Sequence, residues 1–374
     1  MDVAAVPVPA KPDPLEGAAR RDVSRDAPSI LGRCFVNPAV DYSLVGGAIT
    51  IPIFVALYFF PRLTPTSSDI TFRTFLFFNG AHFAASTVRL YTKPGAKQEL
   101  PFLSWGFPAV CLLAVWAGLY WPSLGRHLSN LYFTWSPYHY AAQTYGLAVM
   151  YAMRSGARLD ARDKTHIWWV CLLPFLYALI TAKEGGLAWF VSREWLQTAP
   201  AVWMAYRALL GLITAGVFLL PVSLFWQMHR MRGRNVPLMT LVLQITNGVW
   251  WLGTDYLNGW WWTAMFHSIQ YLIIVVVRHV HDQMARTDMP PKFRHPIASG
   301  AVFYGVSFVL GAFLFFVVPL AYVPLGFDAT KSFTMMMIII NLHHFIVDGF
   351  IWRTKPGGGK PAPTPRLDPV PVAV

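Results

Sequence analysis

An all-α, polytopic membrane bundle of about ten transmembrane helices is what this sequence predicts, and three observations predict it. The 374 residues are 55% hydrophobic and only 13% charged, with a mean hydropathy of +0.43. Soluble domains carry about 25% charged residues, so a charge content this low argues for spans buried in lipid. The apolar residues fall into about ten stretches of helix-spanning length, about 20 residues each. Basic residues collect between every second pair of stretches, as membrane topology requires.

The expected spans are 43–61, 70–90, 101–121, 131–153, 166–182, 200–226, 236–256, 259–278, 298–323 and 333–352. Arg20, Arg21, Arg25 and Arg33 precede the first, and Lys93 and Lys97 follow the second. Arg154, Arg158, Arg162 and Lys164 follow the fourth, and Arg230, Arg232 and Arg234 the sixth. Arg278, Arg286, Lys292 and Arg294 follow the eighth; Arg353, Lys355, Lys360 and Arg366 follow the tenth. The loops after odd-numbered spans, such as GFDATK, carry few basic residues, which places both termini in the cytoplasm by the positive-inside bias. Trp260, Trp261 and Trp262 read as an interfacial belt. The amphipathic stretch from Leu187 to Trp195 is expected in the interface.

Residues 1–42 read as a flexible cytoplasmic segment, 43–353 as the transmembrane domain and 354–374 as a disordered Pro/Gly-rich tail. The N-terminus lacks the apolar core of a signal peptide, so the first span is expected to direct insertion. The implied location is an integral membrane one, the plasma (inner) membrane if the chain is bacterial. Cys34, Cys111 and Cys171 show no ligand or disulfide spacing. The net charge of +12 lies in loop flanks, without the aromatic and basic platform of a nucleic-acid binder. Walker A, GxSxG, HExxH and Rossmann glycine patterns are absent. So are the dense HxxxH and HxxHH boxes of membrane desaturases and alkane hydroxylases; His343 and His344 form the only adjacent histidine pair.

Chemistry concentrates in the even-numbered spans. His82, His139, His267 and the His343–His344 pair lie about 8 to 12 residues from the same end of the second, fourth, eighth and tenth spans, a common depth within about a turn. Ionisable groups in a bilayer core are costly and tend to be functional. Helical spacing adds Asn79 and Ser86 beside His82, Gln143 beside His139, and Gln270 and Tyr271 beside His267. Asn341 and Asp348 share the face of His344, while His343 points about 100° away; Gln244 and Asn247 come from the seventh span. Imidazole is the commonest transition-metal ligand, so His82, His139, His267, His343, His344 and Asp348 are the candidate metal ligands. Gln143, Gln270 and Asp348 are candidate catalytic residues, the glutamines positioning substrate or the metal's oxygen ligand and Asp348 acting as ligand or as orienter of a ligating histidine. The mixed His/carboxylate set favours iron over copper or zinc. Against this stands the ordinary reading of each histidine as an interhelical hydrogen-bond contact.

The expected function is a metal-dependent oxidoreductase of lipid metabolism acting on a hydrophobic small molecule, with a membrane or soluble electron donor. A proton-coupled transporter using the His/Asp cluster as a relay is the alternative. Haem is disfavoured: His267 and His281 are 14 residues apart on one helix, but no second helix carries such a pair. Arg89, Arg154, Arg278 and Arg353 close one end of the same four spans; snorkelling and topology explain them, with an anion or headgroup site as the other reading.

Overall fold

The computed structural model describes residues 30–60, 73–93, 95–257, 260–285 and 295–352. Among them the regular structure is helical throughout. Ten principal helices carry the architecture: α1 Thr50–Phe59, α2 Ala81–Thr92, α3 Phe107–Tyr120, α4 Pro122–Arg154, α5 Ala161–Thr181, α6 Pro200–Trp226, α7 Leu238–Leu257, α8 Trp260–Met284, α9 Pro296–Ala312 and α10 Ala329–Ile351. Each falls on one of the ten stretches read from the sequence.

Six of these segments are long and apolar enough to cross a membrane: Phe102–Tyr120, Ala161–Trp189, Pro200–Met231, Trp261–Met284, Pro296–Leu325 and Ala329–Ile351. A seventh is available if Pro38–Val45 and Thr50–Phe59, bent by 46°, form one span. The bend replaces the continuous helix expected over 43–61. Its cause is Gly47, which holds φ +70, where a Cβ would also strike Thr246 at 2.7 Å. α2 is entered through a π-helical turn, Phe75–Gly80. α4 begins well before the expected 131 and runs 33 residues, accommodating Pro137 within it.

The helices pack in two shells. α10 lies against α2, α3 and α4, and α8 against α2, α7 and α9. In these two, 61% of the most apolar window is buried, against 22–28% in the other four span-length segments. The outer shell shows large apolar side chains outwards, including Leu212 (73% exposed) and Leu219 on α6 and Val302 and Val309 on α9. A bilayer is the solvent in which such a surface is at low energy.

Residues 1–29 and 353–374 lie outside the described residues, and with them the expected tail and Arg353. Residues 30–42, expected to be flexible, are instead tied down. Asp41 accepts from the Phe35 and Val36 amides (2.5 and 3.0 Å) and from Tyr151 (2.8 Å), and Arg33 N donates to Ser155. At the same end Asp160 and Asp163 form a capping box at the start of α5 and pair with Arg234 and Arg232 at 2.7 and 2.8 Å. The stretch from Leu187 to Trp195 forms parts of two short helices, Gly186–Trp189 and Arg193–Thr198.

Candidate metal centre

α2, α4, α8 and α10 each send one imidazole into a common buried volume. His82 and His344 are fully buried, His267 is 2% and His139 7% exposed. Their ring centroids lie 4.4 Å apart for His82–His344, 5.0 Å for His82–His267, 5.0 Å for His139–His344 and 5.2 Å for His139–His267. One nitrogen from each of His82, His139 and His344 lies within 4.8 Å of the others; His267, also expected as a ligand, packs beside this group without joining it. Two imidazole nitrogens on one metal at about 2.1 Å sit about 3.0–3.4 Å apart in octahedral or tetrahedral geometry. His139 Nε2 and His344 Nε2 are already at 3.3 Å. A closure of at most about 1.8 Å brings His82 in as a third donor.

His344 is held at both ring nitrogens: Nδ1 lies 3.0 Å from the Ser86 hydroxyl, which also reaches Phe83 O at 3.1 Å, and Nε2 lies 3.3 Å from His139 Nε2. With the proton on Nδ1 the Nε2 lone pair faces His139, the tautomer a metal ligand needs. His82 and His267 differ: none of their four ring nitrogens has a hydrogen-bond partner. An unsatisfied buried polar group costs about 1–3 kcal/mol. A cation shared by His82, His139 and His344 would take up one lone pair from each, so this group could hold a metal ion.

Aromatic rings hold the imidazoles in place. His267 lies flat on Tyr140, centroids 3.7 Å apart and planes 7° from parallel. His139 stacks on Phe345 at 4.6 Å, and Tyr271 meets His82 edge-on at 4.5 Å. These contacts limit ring rotation without supplying a competing hydrogen bond.

Four expected site residues take other positions. His343 stacks on Phe107 at 5.1 Å and lies outside the cluster, because its 100° offset from His344 aims it at α3. Asp348 accepts from Tyr271 (2.6 Å) and Trp352 (2.9 Å) through one oxygen and stands behind Tyr271, not among the imidazoles. Gln143 donates to Gln270 at 2.7 Å, and Gln270 donates to Val45 O at 2.5 Å. The two amides thus tie α4 to α8 and α8 to the Asp41–Val45 turn; Gln143 Oε1 is left without a partner. Asn79 accepts from Ser268 at 2.8 Å, Asn341 donates to Met337 O within α10, and Gln244 meets Cys171. Sequence reasoning missed Tyr140 and Phe345, each adjacent in sequence to a site histidine on its own helix. An aromatic next to a buried histidine is too common a pattern in an apolar span to single out.

No protein-family model, curated protein or solved structure matches the chain.

Proposed function

We propose that this chain is a multi-pass membrane metalloenzyme in which His82, His139 and His344 hold one transition-metal ion and His267 closes in as a fourth donor. The observation that carries this reading is the convergence of four buried imidazoles from four helices, two of them without any hydrogen-bond partner. All ten helices cross the bilayer with both termini in the cytoplasm, in the plasma (inner) membrane if the chain is bacterial. The basic loops support that direction.

The donor set is imidazole alone, which suits iron, copper, zinc and nickel. Iron or copper would supply one-electron chemistry, and with it oxidation of a lipid-like substrate that reaches the site through the apolar bundle. Asp348 orients Tyr271 against His82, and Ser86 keeps His344 in the ligating tautomer. Tyr140 and Phe345 hold the planes of His267 and His139. The Gln143–Gln270 pair fixes the separation of the helices that carry His139 and His267. A membrane or soluble electron donor is required for any oxygen-dependent reaction.

The test is elemental analysis of the purified chain beside His82→Ala, His139→Ala, His267→Ala and His344→Ala, with exposed His127→Ala as control. Near-stoichiometric metal, lost in the four and retained in the control, is expected. A chain that takes up no metal even after reconstitution refutes the proposal and leaves the cluster as a proton relay for transport assays to examine.

A further inference from the structure

Beyond the imidazoles, the same helices carry a second buried polar group. Arg89 lies seven residues past His82, about 10 Å along α2, and Arg278 eleven past His267, about 16 Å along α8. Arg89 is only 5% exposed. Its Nη2 donates to Asp282 at 2.5 Å, while Nη1 is buried with no partner among the described residues. Arg278 rests Nη2 on the Met150 sulfur, a weak acceptor, at 3.3 Å, and its Nε is also buried without a partner.

Further cations crowd the two. Arg154 and Arg278 share the Phe35 ring, their Cζ atoms 4.6 and 5.4 Å from its centroid. Arg278 stands in the field of Arg154 and Arg89 as like charges, and of Asp282 as its counter-ion. Half-buried Lys93 donates to Ile351 O and faces Arg89, Asp282 and the exposed Glu99. His279, packed on Phe303, and His281, 3.8 Å from Asp282, complete the surroundings; Arg33 is exposed beyond Arg154. Among the described residues, four sheltered cations and the exposed Arg33 stand against Asp282, Asp41 and the exposed Glu99, and Asp41 is already engaged by two amides and Tyr151.

Snorkelling alone does not account for this. A snorkelling guanidinium ends in water or among headgroups, whereas Arg89 ends in protein with a donor unused. A positive excess with unused guanidinium N–H groups is the electrostatic complement of an oxyanion, and the planar fork matches phosphate. We infer that Arg89 and Arg278, with Lys93 and Arg154 around them, form a phosphate-binding site at the basic end of the helices that carry the imidazoles. Its ligand is the phosphate of an anionic phospholipid headgroup or a free phosphate. The site stands independently of the metal reading.

The full chain, purified in detergent, is tested against two probes. One is phosphatidylglycerol added back in mixed micelles, with phosphatidylcholine as comparison; the other is inorganic phosphate against chloride at equal ionic strength. Retained lipid is read by native mass spectrometry and binding by the shift in unfolding temperature. At least one probe is expected to bind. Arg278→Gln, and Arg89→Lys, which keeps the charge opposite Asp282 but loses the fork, are each expected to weaken it about tenfold or more. Exposed Arg207→Gln is expected to leave it unchanged. A response to lipid alone identifies a headgroup site; a response to phosphate alone identifies a soluble ligand. No response to either probe, or one that both arginine variants retain in full, overturns the inference, since the arginines would then serve Asp282 and topology only. Metal content measured on the same samples separates this outcome from failure at the histidine cluster.

Discussion

Replacing Gly311 by alanine tests whether the position of His82 is set by backbone-to-backbone packing of α9 on the start of α2. A Cβ at Gly311 would meet Gly80 O at 2.4 Å, Gly80 C at 2.6 Å and Ala81 N at 3.1 Å. Every one of those atoms is backbone, so no side chain can move aside. Ordinary contact begins at 3.4 Å. α9 must therefore retreat from α2 by about 1 Å, or the turn before His82 must move by as much. Overpacking of this kind costs about 1–3 kcal/mol. Alanine returns up to about 1 kcal/mol of helix propensity, so a net loss of about 1–2 kcal/mol is expected.

The reciprocal change separates packing from propensity. A Cβ at Gly80 meets only Phe75 O, at 3.8 Å. Gly80→Ala should therefore be neutral or slightly stabilising, although it touches the same contact from the other side. Both variants are compared with the parent by reversible unfolding in one detergent, with metal per chain measured in parallel. Gly311→Ala should lose stability and part of its metal, because a shift of about 1 Å is comparable with the closure the three nitrogens need. A Gly311→Ala protein with parental stability and full metal, or equal losses in the two variants, refutes the reasoning.

Other perturbations divide the roles within the site. Tyr140→Leu removes the face on which His267 lies, and metal affinity should fall about 10- to 100-fold, as for other residues that orient ligands; competition with a chelator measures it. Gln270→Leu leaves Val45 O and Gln143 unmatched, so it should cost about 1–3 kcal/mol of stability and, because the pair sets the spacing of two site helices, also weaken metal binding, by less than Tyr140→Leu. At the start of α5, the Asp163 amide and then Arg234 hold the Asp160 carboxyl below its ordinary value of 3.8. The sign follows: the stabilisation is present above 3.8 and is lost as pH falls from there through the lowered folded value. Acid unfolding curves of Asp160→Asn should accordingly be flatter in that range, and an unchanged acid limb removes Asp160 from the account.

How much of this was legible in the sequence depends on what each helix buries. The common depth of His82, His139, His267 and His344 could be read directly, because span boundaries set depth to within a turn. Which face each histidine presents could be read only within a helix, and that suffices to set His343 apart from His344. Partners between helices could not be read. Asp348 shares a face with His344, yet Tyr271 and Trp352 occupy it, and Gln143 donates to Gln270, which donates to Val45 O. Arg89 could not be assigned for a similar reason. Snorkelling and an anion site look alike at a span end, and only the position of Asp282, 193 residues later, shows that its guanidinium pairs inside the protein.

The same physics explains why helices outnumber the segments that pass a test of apolar length. α2 and α4, which carry His82 and His139, fall outside the six, and so does α7 with Gln244 and Asn247. Their polar residues face the bundle rather than lipid, since His82, Ser86 and Arg89 on α2 and Ser136, His139 and Thr144 on α4 are all buried. Mean apolarity falls as a helix takes on internal polar contacts, although its lipid-facing surface stays apolar. The two site helices that do pass, α8 and α10, are the most buried of the six. If these polar-faced helices cross as well, a count by hydropathy falls short where chemistry is concentrated, and loop charge bears on their number independently because it is unaffected by what a helix buries. Cysteine-accessibility labelling at Lys97, Arg158, Arg232 and Gly326 decides it: ten spans require the first three on one side of the membrane and Gly326 on the other, and labelling of all four from one side refutes ten.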